Sequence, residues 1–143
     1  FQESRLDHSR RSARGAVGVM QLLPSTARDV GIPDISNVED NIHAGAKYLR
    51  WILDTYFDDD TIAPEQKPWF ALAAYNAGPT RVRQLRAEAA RSDLDPDVWI
   101  DNVEVVAARR IGAETVLYVA NITRYWIAYH LILERGRIAD EAA

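Results

Sequence analysis

Few side chains in this sequence could act as catalytic groups. The residue types that are absent exclude several classes of chemistry. There is no cysteine among the 143 residues, which excludes thiolate nucleophiles, thiolate zinc sites and disulfide frameworks. None of the three histidines, His8, His43 and His130, has a second histidine or a suitable carboxylate at the spacing of a known zinc motif. A serine nucleophile is not indicated, because the sequence contains no Gly-x-Ser-x-Gly turn. Carboxylates therefore remain as the groups that would donate and accept protons.

Glu3 is the most suggestive of these carboxylates. It lies among Phe1, Gln2 and Ser4 and precedes an irregular stretch, residues 6–18, that is rich in Arg, Ser and Gly. An irregular segment of this length in a compact domain is usually functional or disordered, and we favour a functional loop. Glu3 is then expected at a helix end facing a cleft, with an ordinary surface glutamate as the alternative. Asp7 is the nearest other carboxylate in sequence.

The elements that position these residues are predicted to be helices. A length of 143 residues fits one domain, and 48% hydrophobic with 27% charged residues is typical of a globular chain. The apolar residues recur at helical spacing almost throughout, and no alternating run is long enough for a sheet. The prediction is an all-α domain over residues 1–143. Its net charge of −4 argues against a protein that coats nucleic acid.

Caps and prolines predict where the helices begin and end. Ser36 with Glu39 forms a capping box, and Pro24, Pro79 and the Asp95-Pro96 pair are typical of helix starts. The predicted helices are 24–31, 36–57, 69–75, one from 79, one from 95 and one of about 115–133. The last helix is apolar on nearly every side and is predicted to be the central, most buried helix. The charge of Arg124 near its middle argues against a membrane span.

Two charged segments are interpreted as facing solvent. The acidic run 58–60 does not match a calcium loop, because Ala63 and Trp69 stand where Gly and a bidentate Glu are needed. Four arginines follow on the helix that starts at residue 79, and a solvated face is the simplest interpretation, with an anion site as the alternative. They are Arg81, Arg83, Arg86 and Arg91.

Four short motifs together resemble a known family. They are Glu-Ser at 3–4, Gly-Val-Met-Gln at 18–21, Ala-Tyr-Asn-Ala-Gly at 74–78 and Glu-Thr-Val-Leu-Tyr-Val at 114–119. Their order and approximate spacing are similar to those of the soluble lytic transglycosylase (SLT) domain. The intervening helix matches as well, at Asn41, Ile42, Gly45, Tyr48 and Leu49. The resemblance covers essentially the whole chain, and residues 69–78 and 95–99 look most like the C-terminal module of F-type membrane-bound lytic transglycosylases.

The resemblance implies a goose-type-lysozyme-like helical fold with an active-site cleft and no metal or cofactor. The implied substrate is the β-1,4 bond between N-acetylmuramic acid and N-acetylglucosamine in bacterial peptidoglycan. Glu3 matches the catalytic glutamate, which would protonate the glycosidic oxygen and then take the proton of the C6 hydroxyl, leaving a 1,6-anhydro end. Ordinary glycosidases need two carboxylates, but here one would serve as acid and then base.

The resemblance also implies supporting residues. Ser12 and Tyr118 would support catalysis, Ser12 near the reacting N-acetyl group and Tyr118 beside Glu3. Residues implied to bind substrate are Ser4, Met20, Gln21, Tyr75, Asn76 and Glu114. Several have structural alternatives: Met20 and Tyr75 as core, Asn76 as a helix C-cap and Glu114 as a helix-start carboxylate. Arg14 stands where some members have serine.

The implied location is the bacterial cell envelope, in the periplasm, with outer-membrane association through other parts of a parent protein. Only Phe1 and Gln2 precede Glu3, so a supporting helix is expected to be truncated or supplied by preceding chain, with further domains N-terminal. The expected partner is the peptidoglycan glycan strand, and no nucleic acid is expected. Two alternatives remain, a goose-type-lysozyme-like hydrolase and a non-catalytic peptidoglycan-binding module.

Overall fold

The chain folds into helices joined by short connections. The computed structural model describes residues 1–141, with side chains described for residues 1–135 and 137. The α-helices are α1 Pro24–Asp29, α2 Val38–Tyr56, α3 Lys67–Ala77, α4 Pro79–Ala90, α5 Glu104–Ile111 and α6 Ala113–Glu141. In the described chain no strand forms, and only isolated bridges join Arg11 to Val17 and Val17 to Leu22. The prediction of an all-α chain is confirmed.

Two helices start at prolines as predicted, but the N-cap of α2 differs from the predicted one. Pro24 and Pro79 each occupy the first position of a helix, where the missing N–H has no intrahelical partner to lose. The cap of α2 is Asn37 and not Ser36: its Oδ1 accepts from the Asp40 N–H at 2.9 Å. Ser36 belongs to the preceding turn, because its carbonyl lies 2.6 Å from Nε2 of His8 and holds the N-terminal loop.

The helix predicted from Asp95 begins later than predicted, because residues 95–98 form a turn and Trp99–Val103 forms a kinked π-helical segment before α5. The Asp95 carboxylate accepts from the N–H two residues later at 2.8 Å, which satisfies a local turn and not a helix end. Asp101 has a φ of 59°, and α5 begins only at Glu104. Trp99 anchors the turn in the core at 1% exposure, donating its backbone N–H to Oε1 of Gln66 at 3.0 Å.

The central helix is α3. It packs against α2, α4 and α6, and its buried side chains include Phe70. The Phe70 ring lies 5.7 Å from that of Phe57 and 5.9 Å from that of Trp99, so three aromatic rings fill the middle of the main core. A smaller cluster beneath the N-terminal loop contains Leu22, Ala27, Ile35 and Ala44. The loop therefore lies on its own apolar support.

The prediction that the last helix is the most buried is wrong. Among the α6 residues whose side chains are described, only Thr115, Tyr118 and Val119 are buried, whereas Trp126 is 64% and Leu133 72% exposed. The first turns of α6 pack on α3 and α5, but those helices have 11 and 8 residues and α6 has 29. At about 1.5 Å per residue, α6 extends well past both of them. Within the described residues, no helix combines the length and apolar character needed to cross a membrane.

The interpretation of a solvated arginine face holds for three of four residues. Arg86 is 15% exposed, donates from Nε to the Pro96 carbonyl at 2.9 Å and pairs with Asp97. Its guanidinium also lies 3.7 Å from Asp59 and 5.4 Å from the centre of the Phe70 ring. Arg86 thus ties the acidic turn to the core. The other three are exposed: Arg81, Arg83 and Arg91.

Candidate active site

Glu3 and Tyr118 meet although 115 residues separate them in sequence. Glu3 lies on one turn, closed by a hydrogen bond from the Arg5 N–H to the Phe1 carbonyl at 2.7 Å, and not at the end of a longer helix within the described chain. Left-handed backbone at Arg5 and Leu6 then turns the chain into the irregular loop. The hydroxyl of Tyr118, from the buried part of α6, donates to Oε1 of Glu3.

Burial is the main influence on the Glu3 carboxyl. It raises the pKa of Glu3, because the charged form loses hydration. The Tyr118 hydroxyl and then the Arg10 guanidinium act in the opposite direction on this pKa. Burial and then the nearby Glu3 charge raise the pKa of both Tyr118 and Tyr75, so both phenols stay neutral donors. The result is a carboxyl that keeps its proton to higher pH than an exposed glutamate does.

The Tyr118 hydroxyl provides a test of this arrangement. In Tyr118→Phe the pKa of Glu3 is expected to rise further, because burial remains while the hydrogen bond that stabilises the carboxylate is lost. Carbon-13 NMR titration of the Glu3 side-chain carboxyl measures the shift. Tyr129→Phe, at a position of α6 that is 58% exposed, is the matched control and should leave the pKa unchanged. An equal or lower pKa in Tyr118→Phe contradicts the assigned role of the hydroxyl.

The pKa of Asp7, the nearest other carboxylate in sequence, is shifted in the opposite direction from that of Glu3. It is exposed, and hydrogen bonds from the Ser9 hydroxyl at 2.6 Å and the Ser9 N–H at 2.9 Å lower its pKa. Such a group is ionised at neutral pH and would not act as an acid. Among the described residues, no three His, Asp or Glu side chains converge to hold a metal ion.

Ser4 is placed differently from the prediction that it contacts substrate. It is 2% exposed, and its hydroxyl donates to the Val19 carbonyl at 2.9 Å. The side chain therefore points into the protein and joins the Glu3 turn to the segment 17–22. Ser4 positions Glu3 and does not offer a hydroxyl to a ligand.

Asn41 holds the same segment from α2. It is fully buried; its Oδ1 accepts from the Met20 N–H at 2.9 Å and its Nδ2 donates to the Val17 carbonyl at 3.0 Å. Gly18 has a φ of +77°, and a Cβ there would lie 2.6 Å from Nδ2 of Asn41, so neither position has room for change. In the sequence, Asn41 matched only a family helix, and its positioning role was missed. The available signal was an amide on the apolar face of a predicted helix.

Met20 and Tyr75 meet at the edge of this segment. The Tyr75 hydroxyl donates to the Met20 carbonyl at 2.9 Å, and both side chains are partly exposed. The Met20 side chain lies against Gly45, where an added Cβ would approach within 2.7 Å. Each residue is thus partly structural, as the core alternative predicted, and contact with substrate stays a prediction.

Gln21 adopts a left-handed conformation with a φ of 47°, which is uncommon for a residue with a side chain. Its Nε2 donates to the carbonyls of Gly18 at 2.8 Å and Arg10 at 3.2 Å, so it links the end of the irregular loop to a residue nearer its start. Strain of this kind often marks functional sites. The side chain is partly exposed, and its contact with substrate stays a prediction.

A cavity of about 450 Å³, which we call the upper cavity, lies between the irregular loop, the end of α3 and the start of α6. Its lining includes Ser12, Asn76 and Glu114, three of the residues predicted from the resemblance. Oδ1 of Asn76 accepts from the Thr115 hydroxyl at 2.7 Å, which joins α3 to α6. Asn76 is not the helix C-cap of the structural alternative, since α3 ends at Ala77 and Gly78 is its C-cap.

Helix α6 contributes both to the lining of the upper cavity and to the contact with Glu3. Glu114 and Tyr118 are four residues apart on this helix and share one of its faces. The hydroxyl oxygen of Ser12 accepts from the Ala16 N–H at 3.0 Å, which shapes the loop on the other side of the cavity. The structure thus contains a partly buried, protonatable Glu3 in contact with Tyr118, and a polar cavity lined by Glu114 one turn away on the same helix, where sugar hydroxyl and amide groups could bind.

Comparison with known proteins connects this geometry to a family. Residues 1–97 match the model of the transglycosylase SLT domain. The membrane-bound lytic murein transglycosylase F of Haemophilus influenzae is 34% identical over 100% of this chain, and that of Shewanella woodyi 35% over 99%. The protein of the same name from Pasteurella multocida is 35% identical over 98%. The chain spans 33%, 32% and 31% of the lengths of these relatives.

The family match and the described helices agree on the fold. The family model extends from the Glu3 turn through α1, α2, α3 and α4, the elements that support the loop and the main core. The chain belongs to the transglycosylase SLT domain family and has its lysozyme-like helical fold.

Proposed function

We propose that this chain is the catalytic domain of a peptidoglycan lytic transglycosylase. The reaction is non-hydrolytic cleavage of the β-1,4 bond between N-acetylmuramic acid and N-acetylglucosamine, with formation of a 1,6-anhydro end. The observation that carries this proposal is the partly buried Glu3 carboxyl, whose pKa is raised and which accepts a hydrogen bond from Tyr118, in a chain of the SLT family.

The proposed reaction uses Glu3 twice. Its raised pKa keeps a proton available, which passes to the glycosidic oxygen as the bond from that oxygen to C1 breaks. The resulting carboxylate accepts a hydrogen bond from Tyr118, which stabilises the charge. The carboxylate then takes the proton of the C6 hydroxyl as that oxygen bonds to C1. One bond breaks, one forms, Glu3 regains its proton, and no water is consumed.

The other residues of the site have two proposed roles, contact with the substrate and positioning of the residues that contact it. Ser12 borders the cavity and is proposed to support catalysis, together with Tyr118. Sugar contacts are proposed for five residues near the segment 17–22 and the cavity: Met20, Gln21, Tyr75, Asn76 and Glu114. Ser4 and Asn41 act through the residues that they hold in place.

The relatives are named as membrane-bound murein enzymes, which supports a place in the cell envelope for this chain. We place it in the periplasm, where peptidoglycan lies, with outer-membrane association through other parts of a parent protein. Its partner there is the glycan strand.

Product analysis tests the reaction. Purified sacculi are digested with this chain, and the soluble muropeptides are separated and weighed by mass spectrometry. We expect products one water lighter than the corresponding reducing-end muropeptides, because the C6 hydroxyl replaces water as the nucleophile. Reducing-end products alone would instead establish a goose-type-lysozyme-like hydrolase. Binding to sacculi without release of any product would establish a peptidoglycan-binding module.

A further inference from the structure

A second cavity, which we call the lower cavity, adjoins the upper one. It has a volume of about 430 Å³ and lies between α4 and the end of α5. Two residues, Arg81 and Ile111, line both cavities, so they form a shared wall. The remaining lining residues are Gln84, Leu85, Glu88 and Arg110.

The polar residues of the lower cavity follow one face of α4. Arg81, Gln84 and Glu88 are spaced three and four residues apart, which places them in a row along the helix. Arg110 of α5 pairs with Glu88 across the cavity, with its Nε and Nη2 each 2.6 Å from Oε1. This pair balances its own charges and fixes the far end of the row.

Arg81 differs from Arg110 in having no partner of its own. It is exposed at the junction of the two cavities, and no carboxylate in the described chain lies within ion-pair distance of its guanidinium. Gln84, one turn further along α4, adds an amide donor on the same side. The junction therefore offers a positive, bidentate donor group without an internal acceptor, and such a group fits a carboxylate.

The substrate of the proposed function has carboxylates in one place only. The sugars of a glycan strand present hydroxyl and acetamido groups, and the lactyl carboxyl of muramic acid is used in the amide bond to the peptide. Free carboxylates belong to the peptide. We infer that Arg81, assisted by Gln84, binds a carboxylate of the peptide attached to the muramic acid in the upper cavity. This inference rests on the proposed function.

Binding measurements with two kinds of strand test the inference. Glycan strands carrying peptides, and peptide-free strands of N-acetylglucosamine that have no lactyl group and therefore no carboxylate, are titrated against this chain in its Glu3→Gln form, which is expected not to consume them. Arg81→Ala is expected to weaken binding of peptide-bearing strands about fivefold or more and of peptide-free strands less than twofold. Arg83→Ala, exposed on the same helix but outside both cavities, is the control and should change neither.

The outcomes separate the inference from the function. An equal loss on both strands would assign Arg81 to the sugars, and no loss on either would remove it from the site; each overturns the inference while leaving the proposed function intact. Failure of the Glu3→Gln chain to bind either strand would overturn both. Circular dichroism of Arg81→Ala confirms that the fold is kept, as expected for an exposed side chain.

Discussion

Glu3→Gln is expected to lower the rate of glycan cleavage by about 10³-fold or more. General acid–base groups contribute roughly 10² to 10⁴ in rate, and here one group serves in both proton transfers. Glutamine has nearly the same shape, and its oxygen still accepts the hydrogen bond from Tyr118, but it has no acidic proton to give. Release of anhydro-muropeptides from sacculi, followed over time by mass spectrometry, measures the effect.

Stability measurements distinguish loss of chemistry from loss of structure in this variant. Because burial raises the pKa of Glu3 above its unfolded value, its contribution to stability is complete below the unfolded pKa and is lost as pH rises through the folded pKa. Glutamine does not ionise, so Glu3→Gln does not lose this stability as pH rises. Its melting temperature at neutral pH is therefore expected to be a few degrees higher than that of the parent. The advantage should disappear in acid.

The matched control is Glu65→Gln, since Glu65 is exposed and lines neither cavity. Its cleavage rate should equal that of the parent. If Glu3→Gln keeps more than a tenth of the parent rate, Glu3 is not the acid; if it melts well below the parent at neutral pH, its inactivity has a structural cause.

The helix starts show which parts of the fold can be predicted from the sequence. Pro24 and Pro79 begin helices because a residue without an N–H fits the first position wherever it occurs. Asp95 satisfies the same local pattern, yet it closes a turn, because Trp99 must reach the core next to Phe70. A cap motif shows that a helix end is possible, and packing decides whether the helix forms.

Burial was less predictable than helix type. The apolar sequence of α6 correctly indicated a helix, but its residues 126–135 are all exposed, because no described element covers them. Hydrophobic content shows that burial of a side chain would be favourable. Whether the α6 side chains are buried depends on how far α3 and α5 extend alongside them. Arg86 shows the converse, because a charged residue of α4 is nearly buried against partners from two other segments.

The candidate site could be located only through the family motifs. No local pattern connects Glu3 with Tyr118, and the resemblance alone paired them before the structure placed them in contact. The motifs did not distinguish residues that face a ligand from those that hold others. Ser4 was predicted to bind substrate and is buried, whereas Asn41 was counted as a helix match and proves to hold the segment 17–20.

Asn41→Ala is expected to lower the free energy of unfolding by about 3 kcal/mol or more. The change leaves the Met20 N–H and the Val17 carbonyl without their partner, and each unsatisfied buried group costs roughly 1–3 kcal/mol. Denaturation by urea, monitored by circular dichroism, measures the loss. Asn37→Ala on the same helix removes a more exposed N-cap and is expected to cost only about 1 kcal/mol.

Asn41→Asp separates the two hydrogen bonds. A carboxylate keeps an acceptor for the Met20 N–H but places a second oxygen against the Val17 carbonyl, where Nδ2 donated before. Burial raises the pKa of such a group above its unfolded value, so the lost stability should return as pH falls and the carboxyl gains a proton to donate. Loss of less than about 1 kcal/mol in Asn41→Ala, or a pH-independent loss in Asn41→Asp, contradicts the assigned role. Since the same segment accepts hydrogen bonds from Ser4 and Tyr75, cleavage should decline in both variants at temperatures where they remain folded.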